Sequence, residues 1–203
     1  MSKIVIVDYS CGNIDSVNSA VKFHGFNSVV SSEQEIINKA DKIILPGQGS
    51  FKTGVNNLKK KNLFDLIKIK AEKDKIPILG ICLGMQILAS EGFEDGVEQG
   101  LDLIPGKVDI LPEKDLKLPH IGWNQINIRK ENLILNNIKD QTDFYFVHSY
   151  VFFCKNSENI LTTTNYKEPF VSSVCKNNIF GVQFHPEKSL AAGLELIKNF
   201  KKL

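Results

Sequence analysis

Short apolar runs alternate with helically spaced apolar residues along the first ninety positions. Ile4-Val5-Ile6-Val7 is an unbroken β-branched run, suited to a strand covered on both faces. Ile14, Val17 and Val21 then recur at helical spacing up to Gly25, which reads as a helix stop. Ser28-Val29-Val30 predicts a weak strand and Ile36-Ile37 a short helix. Lys42-Ile43-Ile44-Leu45 predicts a third strand, cut off by Pro46-Gly47. Leu58, Leu63, Leu66 and Ile67 predict one helical region, and Ile76-Pro77-Ile78-Leu79-Gly80-Ile81 a fourth strand. Strand and helix alternating at this interval give a parallel sheet with right-handed crossovers.

The second half is strand-rich. Lys107–Leu111, Gln125–Ile128, Asp143–Val147, Ile160–Thr164 and Phe170–Val174 are strand-like, and Asn177-Asn178 marks a hairpin turn after the last of them. Leu190 to Leu203 closes the chain as an amphipathic helix carrying Leu194, Ile197 and Phe200. The expectation is a single domain over residues 1–203, with a mostly parallel central sheet flanked by helices and partly antiparallel strands in the C-terminal half.

Composition narrows the function classes. With 42% apolar residues in 203, the chain can bury a sizeable core. Its 25 basic and 23 acidic residues leave a net charge of +2, so nothing asks for nucleic acid or an anionic membrane as partner. No apolar run approaches the roughly 20 residues of a membrane span, and the N-terminus lacks the layout of a signal peptide. The four cysteines, Cys11, Cys82, Cys154 and Cys175, have no C-x-x-C spacing. The expectation is therefore a cytoplasmic protein with no disulfide framework, no metal site and no cofactor.

One cysteine has chemical context. Cys82 lies in Gly80-Ile81-Cys82-Leu83-Gly84, directly after a buried strand and before the periodic run Met85, Ile87, Leu88. That is the G-x-nucleophile-x-G layout of a sharp strand-to-helix turn, whose small flanking residues let neighbouring backbone approach a strained nucleophile. The following helix N-terminus favours thiolate over thiol, and its free N–H groups can hold an oxyanion. A thiolate needs a base and the base an orienting group. Among the four histidines, His24 reads as a helix-end residue, and His120 and His148 have no acid two or three positions away. His185 does, in Gly181-Val-Gln-Phe-His185-Pro186-Glu187. Extended backbone there would put residues 185 and 187 on one side, so Glu187 can hold the imidazole tautomer.

With those residues in view, the chain resembles the class I, triad-type glutamine amidotransferases, and among them the glutaminase subunits of imidazole glycerol phosphate synthases. The likeness runs through Asp8–Asn13, Leu45–Phe51, Gly80–Gln86, Leu103–Gly106, Pro119–Asn124, Tyr145–Tyr150 and Gly181–Ser189. It implies a flavodoxin-like α/β fold, a triad of Cys82, His185 and Glu187, and glutamine as substrate. It further implies an oxyanion hole from Leu83 and the Gln48-Gly49 loop, and contacts to the amino-acid end of glutamine from Gln86, Glu94, Ser149 and Tyr150. A (β/α)8-barrel synthase subunit is the implied partner in a heterodimer, receiving ammonia in histidine biosynthesis across a surface that includes Asn13, Trp123 and Lys188. On composition alone, Trp123 would read as core and Lys188 as a solvated charge.

Two positions depart from the family pattern: Ser10-Cys11-Gly12 where glycine usually follows Asp-Tyr, and Gln48 where the oxyanion loop usually carries valine. The alternatives are a paralogous subunit supplying ammonia for amidination of a surface-glycan sugar, a partner-free cysteine hydrolase, and a non-enzymatic scaffold.

Overall fold

A computed structural model describes residues 3–111 and 117–203 of the chain. The first half places strands β1 (Ile4–Val7), β2 (Ser28–Ser31), β3 (Lys42–Leu45) and β4 (Ile78–Ile81) between helices α1 (Ile14–Phe23), α2 (Gln34–Asn38), α3 (Phe51–Lys60) and α4 (Phe64–Glu72). Helix α5 (Leu83–Ile87) follows β4 directly. The predicted helical region around Leu58–Ile67 is two helices, because Asn62 adopts a left-handed φ of 55° and ends α3.

Among the described residues nine further strands follow: β5 (Glu91–Gly92), β6 (Glu98–Gln99), β7 (Gly106–Ile110), β8 (His120–Ile128), β9 (Asp143–His148), β10 (Tyr150–Cys154), β11 (Ile160–Tyr166), β12 (Glu168–Lys176) and β13 (Ile179–Val182). Helix α6 (Leu190–Lys202) ends the described chain but for Leu203. Strand β10, Tyr-Val-Phe-Phe-Cys, is absent from the sequence-based expectation. It carries no polar alternation, and its burial comes from neighbours remote in sequence.

The sheet runs β2-β1-β3-β4-β13-β12-β10-β7-β5-β6, with β11 pairing β12 and β8, and β9 pairing β8. Pairings among β2, β1, β3, β4 and β13 are parallel, and most of the remainder are antiparallel. The fold is α/β and flavodoxin-like. Period-two alternation splits the core between the two faces of the sheet. Val5, Val7, Ile43 and Leu45 pack with Ile37, Val55 and Ile67 of α2, α3 and α4. Ile4, Ile6 and Ile44 pack on the other face with Val17 and Val21 of α1 and Leu196 and Phe200 of α6.

β13 is the pivot. It lies between β4 in parallel register, with Val182 opposite Ile81, and β12 in antiparallel register. The carboxyl ends of β4 and β13 therefore emerge side by side, one leading into Cys82 and the other into the segment that carries His185. Open α/β sheets bind ligands at such ends.

Candidate active site

The turn from β4 into α5 is built on close backbone approaches. A Cβ at Gly84 would stand 1.8 Å from the Leu45 carbonyl oxygen, and one at Gly80 would stand 2.6 Å from the carbonyl of Gly84. Neither position tolerates a side chain, so the two glycines of the G-x-C-x-G pattern are dictated by packing. Between them Cys82 is held at φ 53° and ψ −109°, a strained conformation for a residue with a Cβ. Its backbone N–H donates to the Val182 carbonyl at 2.7 Å, tying the turn to β13.

The side chain faces a cleft of about 380 Å³. Cys82 and Leu83 line it together with Gln48 and Gly49 of the loop after β3; Gln86 and Glu94 add further wall. Ser149 and Tyr150, with Pro119, Val147 and His148, come from the antiparallel side, and His185 closes the ring. Leu83 is the first residue of α5, so its N–H precedes any intrahelical acceptor. Gly49 adopts φ +113° with open space at its Cβ position, a conformation that needs glycine. A larger cleft of about 750 Å³, around Ile128, Glu131 and Asp140, holds neither cysteine nor histidine.

His185 and Glu187 meet by a route the sequence does not suggest. The segment is not extended: His185 precedes a 3-10 turn at Pro186–Lys188, and that turn brings Glu187 Oε1 to 2.8 Å from His185 Nδ1. Proline fixes the first position of the turn. The Ser189 hydroxyl clamps it, donating to the His185 carbonyl at 2.6 Å while accepting from the Tyr145 N–H at 3.0 Å. The His185 N–H donates to the Tyr145 carbonyl at 2.9 Å, so β9 sets the height of the imidazole above the sheet. Both side chains are 2% exposed.

A carboxylate on Nδ1 fixes that nitrogen as the N–H donor and leaves Nε2 as the lone pair. Nε2 is buried without a regular hydrogen bond, and so is Glu187 Oε2. Burial alone would push the His185 imidazole down, but the Cys82 and Glu187 side chains carry it up to about 9. Nε2 and the Cys82 sulfur are not in regular hydrogen-bond geometry. Such contacts are commonly long before a ligand arrives.

The other cleft residues are partly engaged already. Gln86 Nε2 donates to the Tyr150 carbonyl at 3.0 Å and to Gln183 Oε1 at 3.1 Å, so its carbonyl oxygen is the group left for a ligand. Glu94 Oε2 accepts from the Phe51 N–H at 2.8 Å, at the start of α3. Burial raises the Glu94 carboxyl above its ordinary range, and that N–H pulls the other way.

Asn13, Trp123 and Lys188 lie outside the cleft. Asn13 is exposed and caps α1, its Oδ1 accepting from the Ser16 N–H at 3.2 Å. Trp123 is 49% exposed rather than core, in edge contact with Tyr145, whose ring also lies under the Lys188 ammonium at 5.9 Å. Sequence reasoning assigned nothing to Gln183, though it is fully buried with its amide 3.6 Å from the Cys82 sulfur. Nothing in the local sequence marks it, since its partners Gln86 and Cys82 lie about a hundred residues away in the chain.

The sequence model of the family "Glutamine amidotransferase class-I" matches residues 5–203. Imidazole glycerol phosphate synthase subunit HisH 2 of Methanococcus maripaludis is 44% identical over 98% of this chain and 98% of its own length. Subunit HisH of Lactococcus lactis is 46% identical over the same shares. Among solved structures, PurLQS of Thermotoga maritima superposes with a TM-score of 0.75 at 16% identity, over 99% of this chain and 98% of that one. A glutamine amidotransferase superposes with a TM-score of 0.74 at 18% identity, covering 98% and 97%. Family match and full-length relatives agree: this chain is an enzyme of the class I glutamine amidotransferases.

Proposed function

We propose that the chain is the glutaminase subunit of an imidazole glycerol phosphate synthase, working through Cys82, His185 and Glu187 on glutamine. The observation that carries the reading is the convergence of a strained cysteine and a carboxylate-held histidine at one cleft, beside the 46–49 loop, in a chain whose full-length relatives bear that subunit's name.

The Cys82 sulfur attacks the side-chain amide carbon of glutamine while His185 Nε2 takes the thiol proton. The tetrahedral oxyanion is met by the Leu83 N–H and by an N–H from the Gln48-Gly49 segment; loss of one such donor costs about 3 kcal/mol in barrier. His185 returns the proton to the departing ammonia, leaving a glutamyl thioester. Water, deprotonated by His185, then releases glutamate and restores the thiol. Gln86, Glu94, Ser149 and Tyr150 hold the amino-acid end of the substrate. Glu187 keeps Nε2 pointed at the reaction and offsets the imidazolium charge.

Free ammonia in neutral water becomes mostly ammonium, a poor nucleophile, so delivery to an acceptor requires a sealed path. A (β/α)8-barrel synthase subunit docking over Trp123, Lys188 and Asn13 supplies it, and the whole chain acts as one glutaminase domain in the cytoplasm. Cys82→Ala tests the division of labour in the assembled pair. Glutamine-dependent product formation falls below a thousandth of wild type, while synthesis from added ammonium salt persists. Equal loss of both activities would sink the reading.

A further inference from the structure

We propose that Gln183 is a positioning residue for the nucleophile, its side-chain amide donating a hydrogen bond to the Cys82 sulfur in an orientation dictated by the Tyr150 carbonyl through Gln86. The inference rests on the reading of Cys82 as nucleophile and adds a group to it.

The nitrogen and oxygen of a primary amide have nearly the same shape, so orientation follows from the partners. The chain of reasoning starts at the Tyr150 carbonyl, which can only accept. Gln86 lies 3.0 Å from it and must present its NH2. The second proton of that NH2 points at Gln183, 3.1 Å away, which must present its oxygen. The NH2 of Gln183 is thereby turned to the sulfur at 3.6 Å. Rotating the Gln183 amide would set NH2 against NH2 and an oxygen lone pair against sulfur, an expensive pairing for a fully buried group.

The same carbonyl locks a second branch. It accepts from His148 Nδ1 at 3.0 Å, so that ring carries its proton on Nδ1 and offers a lone pair at Nε2. His120 Nδ1 fills that lone pair at 3.1 Å, and Asn124 Nδ2 donates to His120 Nε2 at 3.3 Å. Burial drives the His148 imidazole down to about 3 and that of His120 to about 4, so both are neutral. His148 therefore lines the cleft without serving as a base: its lone pair is taken, and of the two cleft histidines His185 is the one with a free ring nitrogen.

An N–H aimed at sulfur favours the thiolate over the thiol. In the thiol form, the Val147 carbonyl lies 3.7 Å from the sulfur as acceptor for its proton. When that proton passes to His185 Nε2, the Val147 contact loses its hydrogen and the Gln183 contact gains a charged acceptor. The donor is thus in place before charge develops. The titratable groups acting on this sulfur, among the described residues, are His185 backed by Glu187 on the turn after β13, and Tyr9 from beyond β1.

The test is the pH profile of Cys82 alkylation by iodoacetamide, read by mass spectrometry in wild type, Gln183→Met and Gln183→Glu. Methionine keeps the length and removes the donor; glutamate keeps an acceptor for Gln86 and presents oxygen to sulfur. Both variants are expected to move the profile up by about one pH unit. The kcat for glutamine hydrolysis falls about tenfold with KM changed less than twofold. A profile unmoved in a variant that unfolds at the wild-type denaturant midpoint overturns the inference. If both variants misfold, the wild-type Gln183 side-chain amide signal in 15N NMR decides: it moves as the sulfur titrates and stays fixed in Cys82→Ala, or the inference fails. Wild-type protein inert to glutamine, with the alkylation profile still shifted in the variants, would remove the glutaminase reading and leave Gln183 standing.

Discussion

β4 and β8 belong to one sheet and treat water in opposite ways. All four residues of β4 are buried, as are those of β1, β3 and β13, because helices cover both faces. Such strands have no side chain to spare for a ligand and meet the cleft only where they end. Cys82, the 46–49 loop and the Gln183–His185 segment all lie just beyond those ends. β8 alternates instead: Ile121 and Trp123 are 59% and 49% exposed, while His120 and Ile126 point inward. Its partner β9 buries Phe144 and Phe146 on the same inner side. A strand buried on both faces concentrates chemistry at points, whereas one buried on a single face offers area. The proposed reaction uses the first kind of surface and the proposed docking the second.

The contrast can be broken most severely at the elbow. Gly84→Ala places a methyl group against the Leu45 carbonyl where two backbones meet, and should cost at least about 4 kcal/mol in a urea unfolding titration. A wild-type midpoint would show slack that the parallel half is argued to lack. The antiparallel half should fail first in acid. His120 and His148 are held neutral in the fold, with values lowered to about 4 and about 3, while an exposed imidazole titrates near 6.5. The unfolded chain therefore takes up protons before the folded one. Their contribution is intact above about pH 6.5 and is lost as pH falls toward 4, on the order of 4 kcal/mol for the pair at pH 5. Replacing both with Phe and Leu should flatten the fall in urea midpoint between pH 7 and 5; an equally steep fall would assign acid sensitivity elsewhere. Trp123→Ala sits at the small end: stability within about 0.5 kcal/mol of wild type, but affinity for the barrel subunit down at least tenfold by calorimetry. Undiminished affinity would move the docking face off β8.

Legibility in the sequence followed the same division. Ile4–Val7, Lys42–Leu45 and Ile78–Ile81 are readable because short, mostly apolar runs rich in isoleucine and valine between turns have few other uses. β10 is not, since Tyr-Val-Phe-Phe-Cys has no period of its own. Nor is the break at Asn62, where a left-handed residue ends α3 inside an apparently continuous helical pattern. At the site, the glycines around Cys82 announce an elbow by local sterics alone. Glu187 was found through the wrong backbone: the 3-10 turn, not an extended run, delivers it to His185. Gln183 escaped notice because a glutamine at a strand end has no signature, and its meaning depends on Gln86 and Tyr150 being on the far side of it.

The central position of β13 has a consequence for biosynthesis. The strand that delivers His185 is also the central plank between β4 and β12, and it lies far downstream of Cys82 in the chain. A nascent polypeptide that has yet to add β13 holds Cys82 without His185, so the proposed triad cannot assemble before the parallel part of the sheet is closed.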